Sequence, residues 1–276
     1  MNHMFQGCKN LKNLDLSSFN TSIVREMWEI FSDCQNLEQI YFGNNFITDN
    51  LRDMKNMFSY CSALTSLDLS KFNTNNIDTM SRMFMGCKKL EKINLDNFNT
   101  EQVTDMTYMF SDCYSLKSLN IKNFNTKKVY KTSYMFSNCN SLSTLDLSNF
   151  DTSVAYDMSM MFSGCSSLTS LNLNNFDTAK VTNMNSMFSG CERLKELYVD
   201  NFNTIQVKNM KTMFYKLTDL KYLNLSSFIT ANCINFDKIF DESYNLTIRI
   251  HQYKCNNVII KLPKYIKVEY SNAYNK

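Results

Sequence analysis

The chain has 276 residues, of which 44% are hydrophobic and 20% are charged, and its net charge is +3. This length supplies enough apolar residues for one large domain or two small ones, and the weak positive charge does not favour nucleic acid as a partner. Only five glycines and two histidines are present, and no glycine motif for phosphate binding occurs, which argues against nucleotide loops and histidine-dependent catalysis. No apolar run approaches the length of a membrane span, about 18 residues, and no signal peptide is visible.

A repeat of 26 residues runs through most of the chain. We use "file" for the set of equivalent positions in successive repeats. Cysteine forms one file from Cys8 to Cys191, and Leu217 takes the next position in it. The longest phenylalanine file comprises Phe5, Phe31, Phe58, Phe84, Phe110, Phe136, Phe162, Phe188, Phe214 and Phe240.

Each repeat contains two apolar periodicities, a short one and a longer one. In the copy that starts at Cys165, the segment Leu171-Asn172-Leu173 alternates apolar and polar residues, as a half-buried strand does. Further on, the apolar residues are three or four positions apart, which favours one buried helical face and leaves a tighter 3₁₀ segment open. The residues of that face are Val181, Met184, Met187 and Phe188.

The predicted helix has candidate residues at both ends. Thr178 follows Asp177 and suits the N-cap position, where a hydroxyl accepts a hydrogen bond from an unpaired amide. Beyond the helix, we expect a left-handed C-cap residue. The residues at that position in different copies include Gly164, Gly190, Asp33, Asp112 and Asn138.

One strand and one short helix cannot bury their own apolar face, so equivalent repeats must stack on one another. The sequence therefore predicts an α/β solenoid of about nine to ten strand-helix repeats, with a parallel sheet on one face. The repeat reads C-x2-L-x2-L-x-L-x2-F-x-T-x2-V-x2-M-x2-M-F.

This pattern resembles the BspA-like leucine-rich-repeat surface proteins, and it is similar to repeats of mycoplasma surface lipoproteins. The resemblance covers about residues 4–240. It implies a right-handed leucine-rich-repeat solenoid that serves adhesion or protein interaction. The chain departs from the family at the asparagine ladder, because Phe176 occupies that register and Asn175 stands one place earlier. Horseshoe curvature is therefore in question.

One interval in the long phenylalanine file has 27 residues instead of 26, between Phe31 and Phe58. Alignment with the other copies puts the extra residue within Gly43-Asn44-Asn45. It is either a surface bulge that re-aims a binding residue or a tolerated insertion at a strand exit, where glycine suits a bulge. We favour the insertion, since loops accept extra residues at small cost.

The repeat predicts two parts, a solenoid over residues 1–240 and a β-rich cap over residues 241–276. In the cap, alternating patterns predict strands at Leu246–Ile250, Val258–Leu262 and Tyr265–Tyr270. The chain begins inside a repeat at Met4-Phe5, which favours a fragment or a shortened reading frame.

The cysteines and methionines are predicted to fill the core. Stacked cysteines in parallel register point the same way and fit disulfide geometry poorly, and no C-x-x-C pair occurs for a metal or redox centre. Leu217 in the cysteine file and Cys233 in the valine file support the role of core filler. Cys255 has no assigned role. We expect no metal site, no cofactor and no catalytic residue.

Candidate ligand-binding residues lie on the open face of the predicted sheet, where alternation points every second strand side chain outward. A ladder of oxygen-bearing groups there is a possible calcium site, but most of the groups are neutral, which favours a solvated polar face. The exposed tyrosines suit protein recognition. The ten candidates are Asp15, Tyr41, Asp68, Asn94, Asn120, Asp146, Asn172, Tyr198, Tyr222 and Asn224.

A file of threonines, which includes Thr178, allows ice or glycan binding, but the preceding Asn or Asp favours capping instead. The sequence thus predicts a non-enzymatic, monomeric interaction module, a surface adhesin-type protein with a protein or glycan ligand. The alternative is an intracellular scaffold of the same fold, which the free thiols and the lack of a visible signal peptide favour. Family resemblance places the chain at the cell surface or outside the cell, and the alternative is cytoplasmic.

Overall fold

The computed structural model describes residues 1–251, 253–255 and 262–271. They form a parallel β-solenoid of about nine turns. Four small sheets follow one another along it: β1–β2, β3–β4, β5–β6 and β7–β8–β9. The strands of the described residues are β1 (Asn13–Asp15), β2 (Gln39–Tyr41), β3 (Ser66–Asp68), β4 (Lys92–Asn94), β5 (Ser170–Asn172), β6 (Glu196–Tyr198), β7 (Tyr222–Leu225), β8 (Thr247–Ile250) and β9 (Lys267–Tyr270).

All of these strands pair in parallel with a strand of a neighbouring turn of the solenoid. Leu171 of β5, for example, lies opposite Leu197 of β6, and Leu67 of β3 lies opposite Ile93 of β4. The stacked sheet register that the repeat predicts is therefore present where strands pair.

The α/β fold class is wrong, because the described residues contain no helix. In the segment from Val181 to Phe188, residues 181–184 contain a single β-bridge at Asn183, and consecutive tight turns follow from Asn185 onward. In consecutive turns an inward-pointing side chain recurs about every third residue, so the spacing that favours a helical face fits this segment equally well. The 3₁₀ alternative is also absent there. No described segment forms a helix long and apolar enough to cross a lipid bilayer.

Backbone hydrogen bonding explains why turns replace the helix. We name each turn of the solenoid a coil and number the coils from the N-terminus, so that β1 to β4 lie in the first to fourth coils and β5 to β7 in the seventh to ninth. Half of the amides in this segment close turns within their own coil, as Met187 N–H does with the carbonyl of Met184 at 3.3 Å. The amides in between are not available for helical hydrogen bonds, because they donate to backbone carbonyls of the next coil at 2.8 to 3.0 Å. The pairs are Met184 to Asn209, Ser186 to Lys211, Phe188 to Met213 and Gly190 to Tyr215. Each amide from Met184 to Cys191 thus has a partner, which satisfies the backbone without a helix.

Two residues in each coil adopt the left-handed backbone conformation. In the coil that contains Met184 to Cys191, they are Ser186 (φ 54°) and Gly190 (φ 74°), each the third residue of a turn, as in type II turns. The residues predicted as left-handed C-caps share this conformation, although they end no helix. Sixteen of the described residues with positive φ are not glycine, so these turns are built with very little glycine.

A second line of parallel pairing runs along another side of each coil, about twelve residues beyond the strands. We name it the bridge ladder. Single-residue bridges connect nine successive coils in it without a break. Its members are Glu26, Asp53, Thr79, Asp105, Lys131, Asp157, Asn183, Asn209 and Asn235.

The core is a set of stacked files, of which the long phenylalanine file is the central column. Its ten rings stack in sequence, with neighbouring centroids between 5.3 and 5.9 Å apart. The methionines equivalent to Met184 and Met187 are fully buried beside it from Met27 to Met213, whereas Met4 near the N-terminus is 52% exposed. The prediction that the methionines of the repeat belong to the core is confirmed from Met27 onward and is wrong for Met4.

The threonine file is buried, which corrects its predicted role as a helix cap. Thr178 is fully buried, and its hydroxyl donates to the carbonyl of Asn203 at 3.0 Å and accepts from the amide of Asn203 at 2.7 Å. The file therefore joins coils through both backbone groups of one residue. Because the hydroxyls are buried, they offer no surface for ice or glycans.

The cysteine file is free of disulfides and buried from Cys34 onward, as predicted. Each of these thiols also donates to a phenylalanine carbonyl of the preceding coil, as Cys165 does to Phe136 at 3.0 Å. Burial raises the pKa of Cys87 and of Cys165 to about 12. Cys233 is buried as predicted, and Cys255, which had no role, donates to the carbonyl of Phe228 at 3.3 Å.

Asparagine 175 and its equivalents form a ladder despite their shifted register. The side-chain amide of Asn175 donates to the carbonyls of Leu147 and Phe150, both at 2.9 Å, and Asn149 binds the preceding coil in the same way. Phe176 is buried beside it. The asparagine ladder is thus present one residue earlier than in the family pattern.

The C-terminal segment continues the parallel stack. β8 and β9 correspond to two of the three strands predicted there, and β8 pairs with β7 of the repeat region. The third predicted strand, Val258–Leu262, lies outside the described residues except for Leu262. The division into residues 1–240 and 241–276 stays a prediction.

Candidate functional site

The predicted ligand-binding residues lie on one side of the solenoid, which we name the strand face. Eight of the ten have exposed side chains, and Asn94 and Asn224 are half-buried. Asn120 and Asp146 occupy the equivalent positions in the two coils that form no strand. The alternation of the sequence therefore places these side chains outward as expected, while their role in binding stays a prediction.

The aspartates and asparagines of this set have a local structural role. Each accepts a hydrogen bond from the backbone amide two residues further on, an Asx-turn that closes the strand exit. The donor-acceptor distance ranges from 2.8 Å at Asp15 to 3.5 Å at Asn120. Hydrogen bonds from the serine two residues on lower the pKa of Asp15, Asp68 and Asp146 below its ordinary value.

In each of these turns, one side-chain oxygen already accepts a hydrogen bond from a backbone amide, which disfavours the alternative that these oxygens bind calcium. Two side-chain bonds run along the face as well, from Asn120 to Asp96 at 3.0 Å and from Asn224 to Asp200 at 2.5 Å. Among the described residues, no group of three or more His, Cys, Asp or Glu side chains is arranged to hold a metal ion.

The tyrosines of the strand face occupy two separate places. Tyr198 and Tyr222 lie on neighbouring coils and are 40% and 45% exposed. Glu196, beside Tyr198, raises the pKa of that tyrosine. Tyr41 is 57% exposed and lies six coils from Tyr198, about 29 Å at the strand spacing of roughly 4.8 Å. The three predicted contact residues therefore do not form one site.

A cleft opens on the strand face between the second and third coils, beside Tyr41. It has a volume of about 650 Å³ and is lined by both neighbouring strands, β2 and β3. The only sequence signal for it is the 27-residue interval, whose extra residue falls at the exit of β2. The interpretation of that interval as a tolerated insertion did not anticipate a cleft.

Sequence reasoning also missed aromatic residues on the bridge-ladder side. Tyr108 and Tyr134 stack at 4.2 Å between centroids, and the guanidinium of Arg82 lies 5.1 Å from the Tyr108 centroid. Partial burial raises the pKa of Tyr108 to about 12. Nearby in sequence, Tyr130 and Tyr156 stack at 6.0 Å. The 26-residue separation within each pair is the signal that identifies them.

Comparison with solved structures identifies a related fold. The pneumococcal vaccine antigen PcpA is 15% identical and has a TM-score of 0.52, and the match covers 96% of this chain and 69% of that chain. Identity this low shows the fold alone, and the chain is accordingly a repeat solenoid like leucine-rich-repeat proteins such as PcpA. TLR13, in its complex with ssRNA13, is 16% identical over 97% of this chain and 52% of that chain, but its TM-score of 0.22 supports no inference.

No curated protein matches the chain. A family model, in contrast, matches it three times in overlapping segments, residues 1–67, 52–171 and 156–267. Together the three overlapping segments cover residues 1–267, which include the whole repeat region. The chain therefore belongs to the family described as Mycoplasma protein of unknown function, DUF285.

Proposed function

We propose that the chain is a non-enzymatic interaction module that binds a protein or glycan partner on its strand face. The observation that carries this proposal is the contrast between buried and exposed positions of the same repeat. Buried files keep Phe, Met, Thr or Cys from coil to coil, whereas the strand face varies among Asp, Asn and Tyr. A rigid stack with a variable exposed face is suited to recognition.

The tyrosine pair of the eighth and ninth coils is the favoured contact. Tyr198 and Tyr222 offer rigid amphipathic surface at low entropic cost, and Glu196 and Asp200 flank them with acidic groups. Half-exposed aromatic side chains among carboxylates fit a partner surface with apolar and basic groups.

A binding screen tests this assignment. The full chain is applied to immobilised extracellular-matrix proteins and glycans, together with a Tyr198→Ala/Tyr222→Ala variant. We expect that variant to bind at least about ten-fold more weakly, since central aromatic contacts contribute about 2 kcal/mol or more. The matched control is Tyr130→Ala/Tyr156→Ala, two tyrosines of similar exposure, 39% and 41%, on the other side. Loss of binding in the control alone would contradict the strand face as the site.

More specifically, we propose that the chain belongs to a surface protein of the BspA-like, adhesin type. The repeat pattern and the likeness in fold to a pneumococcal antigen support it. The competing assignment is an intracellular scaffold, and its support is that all ten cysteines are free, as is usual in reducing compartments.

One thiol distinguishes these two assignments. Cys8 is exposed, whereas the other nine cysteines are buried. A membrane-impermeant maleimide applied to intact cells that produce the chain should label Cys8 if the protein is at the surface. Labelling that appears only after lysis would support the scaffold, and Cys8→Ser provides the unlabelled control.

A further inference from the structure

The second and third coils are separated on the strand face by a break in backbone pairing. At the other boundaries where strands do not pair, one backbone hydrogen bond still joins the coils on this face, as between Lys117 and Glu91 at 3.5 Å or Asp219 and Glu192 at 3.0 Å. In the described part of the chain, no hydrogen bond links the backbone of residues 35–43 to that of residues 62–69.

The missing bonds can be identified from the other coils. Where strands pair, the amide of the strand's first residue and the amide of the residue before it both donate to one carbonyl of the preceding coil. In β4 these are the amides of Lys92 and Glu91, which donate to the carbonyl of Thr65 at 3.4 and 2.9 Å. The equivalent amides of the third coil are those of Thr65 and Ser66, and they have no such acceptor. Both edges of the break therefore expose strand backbone, which is a template for another strand.

We attribute the break to the insertion in the second coil, which lies at the exit of β2. Gly43 packs so closely on the first coil that an added Cβ would lie 2.4 Å from Ser17 Cα. Phe42 stands where most other coils have leucine, and its half-buried ring lies 5.0 Å from that of Phe72 in the third coil. On the strand face, the second coil thus packs closely on the first, and an aromatic contact with the third coil stands in place of backbone pairing.

The resulting cleft is amphipathic and extended. Ile40, Phe42, Leu67 and Phe72 supply its apolar surface, within the volume of about 650 Å³. A second cavity of about 410 Å³, lined by Gln35 and Tyr60 among others, shares Ala63 and Lys89 with it. Together they form a groove that follows the chain direction of both coils.

Charge indicates what the groove accepts. Lys71 and Lys89 line the cleft and Lys88 lines its extension, against the carboxylates of Glu38 and Asp68. Among the described residues, neither Lys88 nor Lys89 has an acidic group within 4 Å, so both are available to an acidic ligand.

We propose that this groove binds an extended peptide segment of the partner as an added strand, an inference that rests on the proposed function. Its backbone hydrogen-bonds to the edges of β2 and β3, and alternate side chains enter the apolar cleft. Acidic side chains of the peptide pair with Lys88 and Lys89.

A displayed library of short random peptides, selected on the full chain, tests the inference. The matched control is a closed variant in which Phe42→Leu is combined with deletion of Asn44, which restores the common repeat. Selected peptides should alternate apolar and polar residues, carry Asp or Glu, and bind the closed variant at least about ten-fold more weakly. On binding, hydrogen exchange at the amides of Thr65 and Ser66 should slow.

A second variant, Lys88→Glu/Lys89→Glu, leaves the backbone intact and should weaken binding of the same peptides, which covers the case in which the closed variant fails to fold. No selected peptide, equal binding to the closed variant, or protection of other amides only would each overturn the proposal. The screen with Tyr198 and Tyr222 is unaffected by such a failure, because those residues lie at least five coils away.

Discussion

The two lines of β pairing in the solenoid join its coils to different extents. The bridge ladder is unbroken from Glu26 to Asn235, whereas the strand face is divided into separate sheets of two or three strands. The side chains differ in the same way, since the turns next to the bridge ladder carry the fully buried Met and Phe files and the strands expose every second residue. The difference teaches that one side of each coil maintains the stack and the other is free to vary.

The largest expected effect concerns the central column. Phe136 is fully buried and stacks on both neighbours, at 5.9 and 5.8 Å, so Phe136→Ala should destabilise the protein by about 4 kcal/mol. Leu145, on the strand face of the same coil, is only half-buried, and Leu145→Ala should cost roughly 1 kcal/mol. Urea unfolding of both variants measures the difference. Equal costs would remove the distinction between the two sides.

The second prediction concerns the threonine file, which joins coils at the turn between the two sides. Thr178→Val removes a buried hydroxyl and leaves the amide and carbonyl of Asn203 without that partner, so we expect a loss of about 2 kcal/mol. Thr182→Val is the control, because its hydroxyl is exposed and bonds one carbonyl at 3.3 Å. A cost as small as that of the control, in the same urea assay, would contradict the bridging role.

The third prediction uses pH. The pKa of Cys165 is raised to about 12 by burial, whereas an unfolded thiol ionises near 8.5. A raised folded pKa stabilises the protein fully below the unfolded value, and that contribution is lost as pH rises from about 8.5 toward 12, by about 1.4 kcal/mol per pH unit. Cys165→Ala should therefore flatten the decline of stability with pH, relative to the parent chain. An unchanged slope between pH 9 and 10 would show that this thiol is not shielded.

The smallest effect concerns the left-handed turn positions. Lys238 has φ of 54° and an exposed side chain, so Lys238→Gly should relieve strain and stabilise the protein by about 1 kcal/mol. Ala231→Gly, an exposed residue of the same coil without positive φ, should instead destabilise it by a similar amount. Thermal melts that shift in the same direction for both variants would contradict the turn geometry.

The repeated files predicted a large part of the fold. Equal spacing placed Phe, Met and Cys in the core and predicted the parallel register, because stacked equivalents must meet. The predicted helix was wrong because apolar spacing indicates which side chains point inward, but not which carbonyls accept hydrogen bonds from the backbone amides. The amide of Ser186 bonds to Lys211 in another coil, and no pattern within one repeat contains that information.

The strand face was predictable in part for the same reason. Alternation places Asp146 and Tyr198 outward without any knowledge of their neighbours. The cleft, in contrast, depends on how the extra residue near Gly43 is absorbed. Whether the second coil shifts toward the first coil or the third is decided by packing between coils, so the 27-residue interval locates the irregularity but not its outcome.

The way each coil satisfies its amides also bears on how such a chain changes length during evolution. Because the middle coils present the same donors and acceptors to their neighbours in the turns and in the bridge ladder, excision of one whole 26-residue unit, such as residues 140–165, joins surfaces that already match. Recombination between repeated gene segments can thus add or remove coils in single steps while the amides of these turns keep their partners. The number of exposed strand positions then changes with each step, so the binding surface can lengthen or shorten without a new fold.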